Sequence, residues 1–496
     1  MLSPTSASTA SRRFHWLLTA VVAVFGAVRF AGLFNDLWLD EIWSLGLVSQ
    51  VHSPVEIVTR LWHDNNHPLN SLFLYWLNPA RADWHYRLLS WFTGTVTVWL
   101  AGLGARRVFQ QLHPGAVPLR ADAAGLTTAT LVGGSYFLIH YSSEARGYAP
   151  AVGFCFLAIY ALLRDTGKPA SAWAIVYALA CMLGLLAHPV TFQVMLAGLV
   201  WSVARALPSW RRWREHLVHF ASWHLVPWTW LALYYFGFVR KVEIGGGPVL
   251  ALSDVLGSLA AYSLGFPSGV GATVALPVFL GVILVGLGLV WFRSRAWFGF
   301  FVTAIFVAPA VGLISSRFVL LYSRYFVVSA AVGLLLAGYA LTRLWFAGRA
   351  ARGVGVVALA GFLAGNGAHT RHLLRDGRGQ YQAALRHIAA RTPSAAITVA
   401  SDSDFRNYGV IGYYAKAVGP GHTLQYYPAD QLPPEGPQWI FLHRLDGGPP
   451  PPADDLNAGA GWHYRLDGVF PHGPLSGWTW YVFRNLDPAV LGPAPR

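Results

Sequence analysis

Residues 37–69 read LWLDEIWSLGLVSQVHSPVEIVTRLWHDNNHPL, and the fold turns on how this stretch is taken. It lies between two long apolar segments. It places Asp40 and Glu41 side by side between Trp38 and Trp43, with His63, Asp64 and His67 shortly after. A carboxylate pair beside hydrocarbon is costly unless water, a cation or a substrate compensates it. The stretch therefore reads as an outer loop of a membrane protein and as the place where chemistry is held.

The composition around it agrees. Of 496 residues, 55% are hydrophobic and 12% charged, with 22 Trp and a mean hydropathy of +0.43, more apolar surface than a soluble core hides. This excludes the ordinary soluble enzyme and makes the chain a polytopic membrane protein. The 36 Lys and Arg against 22 Asp and Glu give a net charge of +14. In a soluble domain that excess would suggest nucleic acid; here it falls in short clusters between apolar segments, where it sets topology, and no nucleic-acid partner is expected. Cys155 and Cys181 stand in apolar runs without C-x-x-C spacing, so they read as buried core and not as a zinc or disulfide framework.

The apolar run after Arg12 and Arg13, from Phe14 to Phe34, is too long for a signal-peptide core and reads as a first span despite Arg29 within it. Further segments follow at roughly 86–105, 123–141, 148–163, 171–187, 190–205, 216–237, 274–292, 297–314, 325–346 and 353–367, about eleven spans in all. The stretch 249–266 suits an interfacial amphipathic helix as well as a span. With Arg12 and Arg13 cytoplasmic, the alternate loops carry Arg106/Arg107/Arg120, Arg164/Lys168, Arg205/Arg211/Arg212/Arg214, Arg293/Arg295 and Arg343/Arg349/Arg352. All are basic, as the positive-inside rule requires. The outer face then receives 35–85, the turn 142–148, His188, 238–273, 315–324 and everything after about 368. From about 370 no run can span. QYQAALRHIAARTP has helical spacing, while AAITVAS and QWIFLHR read as strands, so an extracytoplasmic α/β domain is expected over 370–496, after a membrane domain over 1–369.

The outer clusters carry the candidate chemistry. In Asp40-Glu41 one carboxylate can take a proton from an acceptor hydroxyl while the other binds a hydroxyl or a cation; alternatively Asp40 caps a helix starting at Glu41. His63 and His67 have metal-ligand spacing on a helix, but Pro68 pushes His67 out of the helical region. Hydrogen bonding of sugar or phosphate by His63, Asp64 and His67 is the other reading, beside a plain capped loop. Arg146 can hold a phosphate by paired hydrogen bonds with Glu144 orienting it, or the two form a structural pair. Tyr322, Arg324 and Tyr325 offer a second guanidinium, with Arg317 near in sequence, and either arginine reads as a phosphate ligand or as a snorkelling interfacial residue. His188 lies on the same face, as a core histidine or a ligand contact. Arg240, Lys241 and Glu243, before Gly245–Gly247, mark a loop able to close over a substrate.

LWLDEIWS, DNNHPLNSLFLYWL, YSSEARGYA and YSRYF, in that order, resemble the motifs of the GT-C glycosyltransferases related to the protein O-mannosyltransferases and the bacterial lipid A aminoarabinose transferase. The resemblance covers roughly residues 14–346. It implies a GT-C-like membrane fold and transfer of a sugar from a polyprenyl-phosphate-linked donor to a glycan, lipid or protein hydroxyl on the extracytoplasmic face; in-line attack by that hydroxyl would invert the anomeric carbon. It also favours a bacterial inner membrane, in which the loop charges put the N-terminus on the cytoplasmic side. By position Asp40 takes the role of base with Glu41 beside it, Glu144 and Arg146 match the Glu-Ala-Arg-Gly-Tyr turn, and Arg324 and Tyr325 match the late Arg-Tyr. The chain departs from many relatives in having Leu69 after His67-Pro68 and no proline soon after Tyr325, which bears on donor and acceptor identity. No cofactor is indicated, and a divalent metal stays open. The alternative class, a lipid-linked-sugar flippase or solute transporter with an outer domain, would place charged or broken positions at mid-depth and show an internal repeat; the polar residues cluster at one face instead.

Overall fold

The computed structural model describes residues 4–80, 82–167, 171–315, 320–452, 456–457 and 461–487; Lys168 and Arg317 fall outside them. Two compact units emerge. One comprises Met1–Leu33, Val48–Ala80 and His85–Thr370, the other Phe34–Leu47, Arg81–Trp84 and Arg371–Arg496.

The first unit is helical, and each of the eleven predicted spans coincides with helix. Among the described residues seven helices are long and apolar enough to cross a membrane, and two shorter apolar ones, Tyr148–Leu162 and Ala172–Ala187, accompany them. The chain is a multi-pass membrane protein. Large apolar side chains such as Trp16, Phe92, Trp99 and Leu284 face outward, as lipid-facing positions do. Several spans are interrupted, which explains why a simple count from hydropathy is uncertain at their ends. The segment 123–141 breaks at Ser135 into Pro118–Gly134 and Tyr136–Ser142, and π-turns interrupt the helices at Ala221–Leu225 and Thr303–Val307. The stretch 249–266 forms a helix only over Leu252–Leu264, ended by Gly265 at φ 85°. Its 13 residues are too few to span.

Arg29 within the first span has a structural explanation. It is buried and donates to the carbonyls of Gly133 at 2.8 Å, Val132 at 3.1 Å and Phe25 at 3.2 Å. Val132 and Gly133 belong to the last turn of Pro118–Gly134, whose carbonyls have no partner within their own helix. A cation at that end also meets the negative pole of the helix dipole.

The second unit holds a mixed six-stranded sheet of order β2-β1-β3-β6-β5-β4, from β1 (Ala396–Ser401), β2 (Thr423–Tyr426), β3 (Trp439–Arg444), β4 (Leu456–Asn457), β5 (His463–Phe470) and β6 (Thr479–Asn485). β1 runs parallel to β2 and β3, while β6 is antiparallel to β3 and β5. The helix Tyr381–Arg391 precedes β1 and Asp404–Tyr413 follows it. The core is built on Trp439, Trp478, Trp480, Tyr381 and Tyr464, and two of its three indole N–H groups are paired: Trp480 Nε1 to Asn407 at 2.7 Å and Trp439 Nε1 to Thr392 at 2.8 Å.

Residues 34–47 join this unit through specific bonds. Asn35 Nδ2 donates to the Leu373 carbonyl at 2.9 Å, Asp36 accepts from Gln382 N at 2.9 Å and Nε2 at 2.8 Å, and Leu37 N donates to the Tyr414 hydroxyl at 2.5 Å. The expected outer loop 35–85 is thus divided between the two units.

Candidate functional site

In the first unit, three local structures bring most of the sequence-derived candidates together. The first is the entry to the helix Pro68–Leu77. Pro68 at the helix start has a preset φ and excludes the helical region for the residue before it. His67 accordingly sits at φ −100°, ψ 95°, and His63 lies in an isolated bridge to Glu243. The two histidines therefore do not share a helix face, and the metal-binding spacing considered from sequence is not realised. Among the described residues no group of three or more His, Cys, Asp or Glu is arranged to hold a metal ion.

The second is the turn between Tyr136–Ser142 and Tyr148–Leu162. Ser90 Oγ donates to the Arg146 carbonyl at 3.0 Å and Asn70 Nδ2 to the Ala145 carbonyl at 2.8 Å, so two other helices clamp it. Gly147 is required by close approach: a β-carbon there would overlap the Ala187 carbonyl and stand 2.9 Å from His67 Cβ. The third is the 3₁₀ turn Ser323–Phe326 leading into the helix Val327–Trp345. It is tied down by Gln193 Nε2, which donates to the Tyr325 carbonyl at 3.2 Å.

Arg146 is buried. Its Nη2 donates to Asn65 Oδ1 at 2.6 Å, and its Nη1 stands 3.8 Å from Glu144 Oε1. Glu144 Oε2 lies in turn 3.9 Å from His140 Nε2. The rings of His67, Tyr148 and His188 form a mutual triad with centroids 4.7–5.2 Å apart. His188 continues to Tyr325 at 6.3 Å and Tyr325 to Tyr322 at 5.9 Å. The guanidiniums sit on this aromatic series, Arg146 over Tyr148 at 5.1 Å and Arg324 over Tyr322 at 4.3 Å, as cation–π contacts do.

The electrostatics tie the two guanidiniums to one locality. Burial, followed by the charge of Arg146, His188 and Arg324, holds His67 far below the usual imidazole range. Burial and the same two arginines push His188 down to about 3. Both imidazoles are therefore neutral near pH 7. His188 Nδ1 accepts from Val190 N at 3.1 Å, which leaves the ring proton on Nε2. For Asp64, burial works to raise the pKa but is outweighed by the His63 hydrogen bond and charge, a bond from the Gly245 N–H and the Arg146 charge, so it stays below its ordinary value as a carboxylate. The glycine loop is fixed to this segment: Asp64 N donates to the Glu243 carbonyl at 3.0 Å, Glu243 N to the Trp62 carbonyl at 2.8 Å, and Lys241 lies over Trp62 at 5.0 Å.

Asp40 and Glu41 belong to the second unit. Their helix is Leu39–Val48, two residues earlier than a start at Glu41. Glu41 is buried and its Oε2 accepts from Trp38 N at 3.2 Å, the reach-back from the third helical residue that closes a helix start. Asp40 is half-buried in the first turn.

Three residues that sequence reading gave no role prove to hold the first-unit cluster together: Asn65, Asn70 and Gln193. The Asn65-Asn66 pair between two histidines was the available signal. Asn66 is structural, donating to the carbonyls of Ile57 at 2.7 Å and Leu61 at 2.6 Å and accepting from Ser71 at 2.7 Å.

No protein-family model matches the sequence, nor does any curated protein. Among solved structures, ArnT from Cupriavidus metallidurans in the apo state is similar at a TM-score of 0.52 and 14% identity, over 98% of this chain and 100% of that one. The same protein bound to undecaprenyl phosphate gives 0.47 at 15% identity over 96% and 99%. The oligosaccharyltransferase of Archaeoglobus fulgidus tethered with an acceptor peptide gives 0.45 at 12% over 84% and 64%. The likeness to apo ArnT covers nearly all of this chain and the whole of that one, and it shows a shared fold.

Proposed function

We propose that this chain, folded like ArnT, transfers a sugar from a polyprenyl-phosphate-linked donor to an acceptor hydroxyl at the extracytoplasmic face of a bacterial inner membrane, with its N-terminus cytoplasmic. One observation carries the reading: the Arg146 and Arg324 guanidiniums, from two separate turns, sit at the two ends of one series of ring contacts, Tyr148 to His188 to Tyr325, and the charge of both keeps His67 and His188 neutral. Two fixed positive charges with no histidinium between them, set on the rings of Tyr148, Tyr322 and Tyr325, form a ready counter-charge for a phosphate group. The aromatic rings suit a sugar or an isoprenoid unit beside it. The divided basic loops and the motif order support the topology and the donor class.

In the proposed reaction the acceptor oxygen attacks the anomeric carbon as the bond from that carbon to the phosphate oxygen breaks. The bonding pair leaves with the polyprenyl phosphate, and the acceptor proton passes to a carboxylate, for which the resemblance nominates Asp40. Attack opposite the leaving group inverts the configuration. Charge grows on the departing phosphate, so cations already in place stabilise the transition state more than the ground state. His188, with its proton on Nε2, can donate a hydrogen bond to a phosphate or sugar oxygen without itself giving up a proton.

Membranes containing the intact protein or Asp40→Asn, at matched protein level, should be offered a panel of labelled polyprenyl-phosphate sugars. Transfer by the intact protein that falls by about 10²-fold or more in Asp40→Asn is expected from loss of a general base. Labelled donor crossing the membrane with no sugar transferred would replace this reading by the flippase.

A further inference from the structure

We propose that the first unit carries a second anion site, at the other end of the helix Val327–Trp345, which takes the phosphodiester of an anionic phospholipid. Arg324 and Tyr325 precede this helix and Arg343 lies in its last turn. Nineteen residues rise about 28 Å, close to the roughly 30 Å of bilayer hydrocarbon. The two ends therefore meet opposite interfaces of the membrane.

Four segments converge at the Arg343 end. His113 closes the helix Leu88–Leu112, and its Nε2 lies 3.0 Å from the Tyr339 hydroxyl and 3.3 Å from Arg343 Nη1. Arg120 comes from the first turn of Pro118–Gly134 and lies over Phe346 at 5.1 Å. Arg293 follows Leu276–Trp291. Burial and then the charges of Arg343, Arg293 and Arg120 lower the His113 pKa to about 4, so the charge of all three guanidiniums is felt at this ring, with Arg343 in contact with it.

The nearby carboxylate of Asp122 is held by Arg106 at 2.6 Å. Among the described residues, none of Arg120, Arg293 and Arg343 forms an ion pair with a carboxylate. Like charges gathered from three elements repel, and a bound anion turns that repulsion into attraction.

The surroundings select the anion. Phe292, 85% exposed, and Trp291, 40% exposed, adjoin Arg293, and Arg295 stacks on Trp291 at 3.1 Å. A free phosphate would use the guanidiniums and leave this apolar surface bare. A phospholipid uses both, its phosphodiester among the arginines and its acyl chains along the rings, as basic pockets between membrane helices do.

The test uses the full-length protein, delipidated in a neutral detergent, and does not depend on sugar transfer. Binding of labelled phosphatidylglycerol is compared with phosphatidylcholine of the same chains, with inorganic phosphate as competitor. The intact protein should prefer phosphatidylglycerol by about tenfold or more, and Arg293→Gln with Arg343→Gln should remove most of that preference, since each arginine contributes a factor of roughly five. Arg120→Gln, on an exposed side chain, should lower it partly even where the double variant fails to fold. Arg214→Gln, on the separate helix Trp213–Phe220, should retain it. The proposal is overturned by equal binding of the two lipids, by a preference that survives both sets of variants, or by displacement of phosphatidylglycerol by inorganic phosphate alone.

Discussion

The Arg146 guanidinium is held by Asn65, whose side-chain oxygen accepts from Nη2 at 2.6 Å. Eighty residues separate the two in sequence, and both are buried. A hydrogen bond to a charged group is worth roughly 1.5–3 kcal/mol, and here it aims the cation as well as stabilising it. Asn65→Ala should lower kcat/KM for the lipid-linked donor by about 10- to 100-fold, with the acceptor dependence little changed. Asn65→Asp should lower it further by placing a carboxylate against the cation proposed to meet the phosphate. Donor titrations at matched protein level check both, and an effect under about twofold would mean that Arg146 does not serve the donor.

Gly147 should not tolerate a side chain. The space a β-carbon needs is filled by the backbone carbonyl of Ala187 and by the His67 Cβ, neither of which can turn aside by a side-chain rotation. Gly147→Ala is expected to destabilise the protein by about 1–3 kcal/mol and to displace the His67–Tyr148–His188 rings. Thermal unfolding in detergent and donor KM should both worsen, whereas Gly46→Ala, where nothing lies within 4 Å, should leave both unchanged.

Stability should fall as pH is lowered from 7 towards 4. The folded pKa of His188, about 3, lies below the value of 6.5 for a free imidazole, so in this interval the unfolded chain binds a proton that the folded one does not. Stability then rises with pH, and the contribution is lost as pH drops through the unfolded value. His67 acts in the same direction. Asp64, lowered when folded, adds its own loss only at lower pH, as its unfolded carboxylate protonates. Unfolding midpoints from pH 7 to 4 should show a shallower slope in His188→Asn than in the intact protein. Equal slopes would contradict a buried neutral imidazole.

Arg29 should be needed for stability although it lies within a span. Arg29→Met removes the donor to the carbonyls of Val132 and Gly133 at a helix end that has no water to replace it. A loss of about 1–3 kcal/mol is expected, read as a lower unfolding temperature in detergent, with Arg29→Lys intermediate.

Much of the membrane fold was legible in the sequence because hydrocarbon imposes it: apolar runs of fixed length, with basic residues between them. The cluster around Arg146 was legible through its punctuation. Pro68 fixes the backbone at His67, and Glu144-Ala-Arg-Gly-Tyr148 is a turn whose glycine has a steric reason. Partners set by tertiary packing were not legible. Nothing in residues 34–37 announces Leu373, Gln382 and Tyr414, more than three hundred residues away, and so the division of the first outer loop between two units was not foreseen. The strands β5 and β6 are not legible for another reason: both interleave charged or polar residues with their core positions, and their edges are decided by pairing, of β6 with β3 and of β5 with β6. The bond from Trp38 N to Glu41 Oε2 was not legible either, because local sequence does not say where a carboxylate's bonds go.

The most direct test of the central claim is release of polyprenyl phosphate from a labelled polyprenyl-phosphate sugar by purified intact protein, Arg324→Ala, Arg146→Ala and the double variant, with acceptor present. The account predicts release by the intact protein, a loss of about 10²–10³-fold in each single variant, and a double variant little worse than either, because the two cations act on one phosphate. Release unaffected by either substitution, or no release from any polyprenyl-phosphate sugar, would contradict it.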